Sequence, residues 1–216
     1  MHRIKATYIF FTVFILVVMP FAAFGQINIS TGVTGGLNYA IFGGSDVSNV
    51  STITQYAAGV FAEIRFPLLP ILIQPEILYC VKGSEQTIPS MWAFGSPSIN
   101  TYKNSYIEIP ILVKYYFPTP TIKPFIFLGP SVGFLVNAKE TIAYVNEPQY
   151  NHEIDVKDLF KSTDVGAVVG VGAKIPLTVV DLTLDARYNY GFIPLYKNDS
   201  PYIYNRVISV CLGVTF

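Results

Sequence analysis

Few residues in this chain have the means to do bond-making chemistry. His2 and His152 are its only histidines, and His2 lies in the leading segment, so a multi-histidine metal site is excluded. A Ser-His-acid hydrolase would have to use His152, with Glu147, Glu153 or Asp155 orienting it and a serine brought from elsewhere. A surface lipid hydrolase using His152 is therefore one reading of the chain, although no spacing motif accompanies it. Gly166-Ala-Val-Val-Gly-Val-Gly172 has the glycine spacing of a dinucleotide loop, but that loop needs a turn between strand and helix. Here the glycines alternate within one run, as small residues do when they make room in a narrow interior. Cys80 and Cys211 are too few for a disulfide framework and read as small apolar fillers.

A second set is larger: Glu63, Arg65, Glu76, Lys82, Glu108, Lys114, Asp164, Lys174, Asp181, Asp185 and Arg187. Within their runs these charges share sequence parity with glycine, serine and threonine, while the opposite parity is nearly all aliphatic or aromatic. Period-two alternation is that of a β-strand with two unlike faces. Charges of both signs on one face could line a conduction path, but in an interior only wide enough for side chains they read as an internal salt-bridge network.

The elements that would carry them are organised around one hairpin. Tyr106-Ile-Glu-Ile-Pro-Ile-Leu-Val-Lys-Tyr-Tyr-Phe117 and Lys123-Pro-Phe-Ile-Phe-Leu-Gly-Pro-Ser-Val-Gly-Phe-Leu-Val136 flank the turn 118–121. Strands in soluble sheets average about 5–6 residues, whereas a tilted strand crossing a bilayer needs about 9–11. The hairpin is long enough to cross. In its second run Phe125 and Phe127 share parity with Gly129, Ser131 and Gly133; the small residues are assigned inward, which leaves both rings to the mouth of the fold.

Residues 1–25 read as a secretory signal peptide, with Arg3 and Lys5 before an apolar run and Ala23 and Gly25 at the positions a signal peptidase reads, so cleavage is expected before Gln26. The remainder, 26–216, is one domain. Charged residues are 13% of the sequence and aromatics 15%, against about 25% charged in soluble domains. No later apolar run has the length of a membrane helix, and a closed barrel is the other fold that satisfies its backbone in lipid. Formal net charge is zero with no basic block, which argues against nucleic acid.

Eight alternating runs follow, near 27–42, 55–66, 71–82, 106–117, 123–136, 163–175, 180–190 and 202–216. Their connections alternate long and short, as in bacterial barrels with long outer loops and short periplasmic turns. The sequence predicts an all-β, eight-stranded antiparallel up-and-down transmembrane β-barrel, with 83–104 and 138–162 as long loops. A soluble barrel would show the reverse polarity, apolar inside and charged outside. Since a cation facing lipid near the midplane costs about 2–4 kcal/mol, Val169→Arg should impair assembly, while Gly170→Ser on the inward parity should be tolerated. Pro75, Pro110 and Pro130 each delete a ladder donor and call for a bulge or gap.

The terminal Phe216 closes the last run and resembles the insertion signal of bacterial outer-membrane barrels. The segments 106–117 and 123–133, together with Asp164-Val-Gly-Ala-Val-Val-Gly-Val-Gly172 and Leu184-Asp-Ala-Arg-Tyr188, resemble the PorT-like outer-membrane β-barrel proteins of the Bacteroidetes group. The resemblance implies an outer-membrane barrel, and for some such proteins a link to a secretion and gliding apparatus. The expectation is a monomeric, non-enzymatic barrel without cofactor or metal, structural or binding in role, embedded in the outer-membrane bilayer and touching a protein partner through its outer loops. Membership of a secretion or gliding apparatus is the alternative.

Overall fold

The computed structural model describes residues 27–45, 49–66, 70–89, 96–198 and 201–216. The expected signal peptide and its cleavage point lie outside the described residues. Eight long strands follow one another: β1 Asn28–Gly43, β2 Ile53–Arg65, β3 Ile71–Ile88, β4 Ser98–Tyr116, β5 Lys123–Tyr144, β6 Thr163–Pro176, β7 Asp181–Gly191 and β8 Tyr204–Thr215. Each pairs antiparallel with its sequence neighbours, and β8 pairs back onto β1 from Gly32↔Thr215 to Gly43↔Tyr204, which closes the ring. Closure matters in lipid, where an open edge would leave a row of unpaired amides and carbonyls.

The outward parity is apolar and exposed along every strand, for example Val33 and Leu37 on β1, Ile126 and Leu128 on β5, and Ile208, Val210 and Leu212 on β8. Aromatic residues bound this belt. Tyr188, Tyr190 and Phe192 follow one another at the end with the long connections, at centroid spacings of 6.3 and 5.6 Å. At the opposite end Tyr115 meets Phe117 edge-on at 5.2 Å, and across the ring the exposed terminal Phe216 closes β8. Arg206 marks the outer boundary, its guanidinium 3.5 Å from the Tyr190 ring centroid and donating to the carbonyls of Gly191 and Asn205. Aromatic girdles around an apolar band are what a membrane barrel presents to its two interfaces.

Three expectations need correction. First, 83–104 and 138–162 are not simply loops. Gly83–Ile88 pairs with 98–103, and 98–105 pairs with 137–144, so β3, β4 and β5 run on beyond the belt as a projecting sheet. Val50–Ser51 pairs with one side of this sheet and His152–Asp155 with the other. The extension lacks clean alternation because water meets it, and a strand with no lipid side need not be apolar on alternate residues. A register shift between Ser105 and Tyr106, with Val136 as the extra residue on β5, also reverses the parity of β5 there.

Second, Phe125 and Phe127 face the lumen at 1% exposure each. They fit because Phe125 is paired with Gly172 and Phe127 with Gly170 on β6. Each ring lies where a Cβ on the opposite glycine would stand. Third, Gly170→Ser should therefore not be tolerated, since its Cβ would collide with the Phe127 ring and stand 2.5 Å from the Ala186 carbonyl oxygen. Overpacking of this kind costs about 1–3 kcal/mol. A urea midpoint lowered well below that of a Gly35→Ala control, where a Cβ meets only ordinary contacts, would record it.

The three prolines occupy a diagonal. The β2–β3 ladder skips between Phe61↔Glu76 and Ile64↔Ile73, β3–β4 between Pro75↔Ile111 and Leu78↔Glu108, and β4–β5 between Pro110↔Ser131 and Val113↔Leu128. Each interruption falls beside a residue with no N–H to give. At the last of them Gly129 lets β5 come against the Ile111 carbonyl, closer than any Cβ would allow.

Candidate functional site: a filled lumen beneath an outer cap

With eight strands the interior is wide enough for side chains and little else. Three ion clusters occupy it. In the upper one, Lys82 Nζ lies 2.9 Å from Glu108 Oε2 and 3.2 Å from Asp164 Oδ2. Asn189 donates to Glu108, Asn205 Nδ2 donates to Asp164 Oδ2 at 2.8 Å, and the Cys80 thiol lies 3.1 Å from Glu108 Oε2. In the middle one, Arg187 makes a two-pronged contact with Asp185, Nε to Oδ1 at 2.8 Å and NH2 to Oδ2 at 2.9 Å, and donates NH1 to Glu76 Oε2 at 2.8 Å. Gln74 Nε2 supports Glu76 at 2.7 Å.

In the lower cluster, Lys174 Nζ reaches both Glu63 oxygens at 2.6 and 2.7 Å and Asp181 at 3.5 Å. Lys114 is treated differently: its ammonium sits 4.5 Å from the Phe125 centroid and 5.4 Å from that of Phe127. The quadrupole of an aromatic face stabilises a desolvated cation. Of the charges singled out on the inward parity, Glu63, Glu76, Lys82, Glu108, Lys114, Asp164, Lys174, Asp185 and Arg187 are buried in the lumen. Arg65 and Asp181 instead stand at the periplasmic rim, with side chains 45% and 34% exposed.

A cavity of about 30 Å³ remains between the upper and middle clusters, lined by Cys80, Glu108, Arg187 and Cys211 among others. That is room for one or two water molecules and not for a column. Both cysteines are free. The ladder runs Cys211↔Gly36, Gly36↔Ala57, Ala57↔Cys80, so three strand spacings of about 4.8 Å separate them along the wall. That separation is too wide for a disulfide.

Above the ion clusters the barrel is stoppered by apolar side chains. Phe42, Tyr106 and Leu135 from the wall meet Val156 and Phe160 from the β5–β6 connection and Leu195 from the β7–β8 connection. Phe160 stacks on Tyr196 at 4.8 Å. Backbone bonds tie the two connections together, Lys161 N–H to the Leu195 carbonyl at 2.7 Å and Lys197 N–H to that of Leu159 at 3.1 Å. No periodic pattern announces this cap; its sequence signal is only the short apolar patches around Leu159-Phe160 and Phe192-Ile-Pro-Leu-Tyr196 within the connections. Ser98, Asn100 and Glu140 form a buried polar chain beside it, Asn100 Nδ2 donating to Glu140 Oε1 at 2.6 Å.

His152 lies on the exposed strand at the sheet edge, with Nδ1 2.8 Å from the Tyr150 carbonyl oxygen and its ring 6.2 Å from that of Tyr144. Its bonded partner is therefore backbone rather than a serine hydroxyl. Beside it Lys139 bonds Glu153 and holds that carboxyl below its ordinary range. With both side chains about half exposed, such a pair adds little to stability.

A closed antiparallel ring, an apolar outer belt with aromatic margins and a charged, filled interior define a bacterial outer-membrane β-barrel. Comparison with protein families gives the same class, as the model of the outer membrane protein beta-barrel domain matches residues 24–197. The chain belongs to that family. Among solved structures, a major outer membrane protein from Thermus thermophilus superposes with a TM-score of 0.51 at 15% identity, covering 87% of this chain and 98% of that one. Neisserial surface protein A gives 0.49 at 16% identity, with 87% and 97% covered. OprG from Pseudomonas aeruginosa gives 0.42 at 12%, with 89% and 98% covered. At such identities the likeness concerns the fold. No curated protein sequence matches the chain.

Proposed function

We propose that the protein is a closed, non-conducting barrel with a structural or binding role, presenting the projecting sheet of β3, β4 and β5 to a partner outside the cell. The observation that carries this reading is the double obstruction of the lumen. Every buried lumen charge but Lys114, which rests on two aromatic rings, is ion-paired, and an apolar stopper of Phe42, Phe160 and Leu195 sits above them. A pore would need its charges hydrated along a continuous path, whereas buried charges are stable only when paired and hydrogen-bonded.

A PorT-like affiliation fits the hairpin segments quoted above, and a signal peptide cleaved before Gln26 fits delivery to the outer membrane. The role is non-enzymatic, since the single histidine of the mature chain bonds a backbone carbonyl on an exposed edge. The barrel acts as a monomer, its partner contact made by the water-facing strand extensions rather than by the belt. The test is reconstitution into a planar bilayer. We expect no stable single-channel steps from the wild type, and steady conductance on the scale of a general porin would refute the reading. Removing the stopper and the middle cluster together, as Phe160→Ala with Arg187→Gln, should raise the frequency of brief openings.

A further inference from the structure

We propose that the periplasmic mouth of the barrel is a binding site for an inner-leaflet phospholipid, which it holds by the phosphate. A cavity of about 250 Å³ opens there between the start of β3 and the β4–β5 connection. Ile71, Leu72, Tyr116 and Phe117 form its apolar walls, and Arg65 and Lys123 stand on its rim. The cavity lies beside the Tyr115–Phe117 pair that marks the lower margin of the belt, so its opening is level with the headgroups of the leaflet.

The electrostatics at this end are unbalanced. Lys174 takes both oxygens of Glu63 at 2.6 and 2.7 Å and also faces Asp181. Arg65 is left with one longer contact to the same Glu63, at 3.4 Å, while nearly half its side chain is exposed. Lys123 stands directly opposite Lys174 in the β5–β6 ladder, a like-charged pairing that is unfavourable unless an anion intervenes. Arg65, Lys123 and Lys174 thus outnumber Glu63 and Asp181 at this end.

A phosphate answers this arrangement. Guanidinium presents parallel donors to two phosphate oxygens and ammonium adds a point charge. Tyr116, whose buried hydroxyl has no hydrogen-bond partner, is also a lining residue of this cavity. The apolar walls then cover the glycerol and the first methylenes of an acyl chain, which a free inorganic phosphate would leave unfilled.

The test mixes the folded protein, checked by heat-modifiable migration, with phosphatidylethanolamine or with diacylglycerol of the same chains and reads retention by native mass spectrometry. One phosphatidylethanolamine should survive activation that strips diacylglycerol. The pair Arg65→Gln, Lys123→Gln should reduce its retention by about tenfold, which corresponds to about 1.4 kcal/mol. Tyr116→Phe, which keeps the ring and its packing, should give a smaller loss and serves if the double variant fails to fold. Lys103→Gln on the outer sheet should leave retention unchanged. Equal retention of the two lipids, or undiminished retention in both rim variants, overturns the proposal. So does displacement of the lipid by inorganic phosphate alone at equal concentration, or by a peptide ending in an acidic residue, which would make the site one for free anions or for a protein.

Discussion

Arg187→Leu should lower the unfolding free energy of the barrel by about 3–5 kcal/mol, the cost of breaking a buried ion pair from one side. Its guanidinium answers two carboxylates, Asp185 on the same strand and Glu76 across the lumen on β3. Without it both acids remain desolvated and lose their direct ion-pair partner. Domains of this size are stable by only about 5–15 kcal/mol, so a loss of that order should appear as a large drop in the urea midpoint. Adding Glu76→Gln and Asp185→Asn should recover much of it, because the penalty lies in the orphaned charges rather than in the missing contacts. If the single variant unfolds at the wild-type midpoint, the middle cluster is not a structural element.

Val169→Arg should cost about 2–4 kcal/mol, the penalty for a cation on the lipid face near mid-membrane. Val169 is 54% exposed on β6, flanked by Leu128 on β5 and Tyr188 on β7, both also outward. The neighbouring side chains offer no carboxylate, so the guanidinium has only the long route to an interface. Val169→Leu, which keeps the surface apolar, should fold as the wild type does. Comparable folded fractions for the arginine and leucine variants, read from band shifts on a gel, would mean that β6 presents the other face to lipid.

Where lipid lies on one side and packed side chains on the other, the strands could be read from residue order alone. Ile109, Ile111 and Val113 on one parity and Glu108, Leu112 and Lys114 on the other leave a single way to face β4. The same logic fails above the membrane, where Lys103 is exposed while the adjacent polar residues Asn104 and Ser105 are both buried, so no parity is enforced. It also fails for Phe125 and Phe127, left to the mouth by the small residues that share their parity but settled in place by Gly172 and Gly170, 47 and 43 residues further along the chain. Which inward charges meet is equally hidden: Lys174 and Glu63 are 111 residues apart. Only the stagger of the closed ladder brings them face to face.

The diagonal of Pro75, Pro110 and Pro130 bears on how the wall deforms. Ladder bonds stiffen a closed ring against shear, and a strand cannot slip by one residue without turning all its side chains over. Interruptions on neighbouring ladders amount to a crease that crosses β3 and β4 and reaches the first half of β5. A pull on the projecting sheet, which is the upper continuation of those same strands, is relieved by folding along that crease while the β6–β7–β8–β1 side keeps its curvature. The outer sheet is thus carried on the strands whose ladders are interrupted, on the side of the ring away from the β8–β1 pairing that closes it.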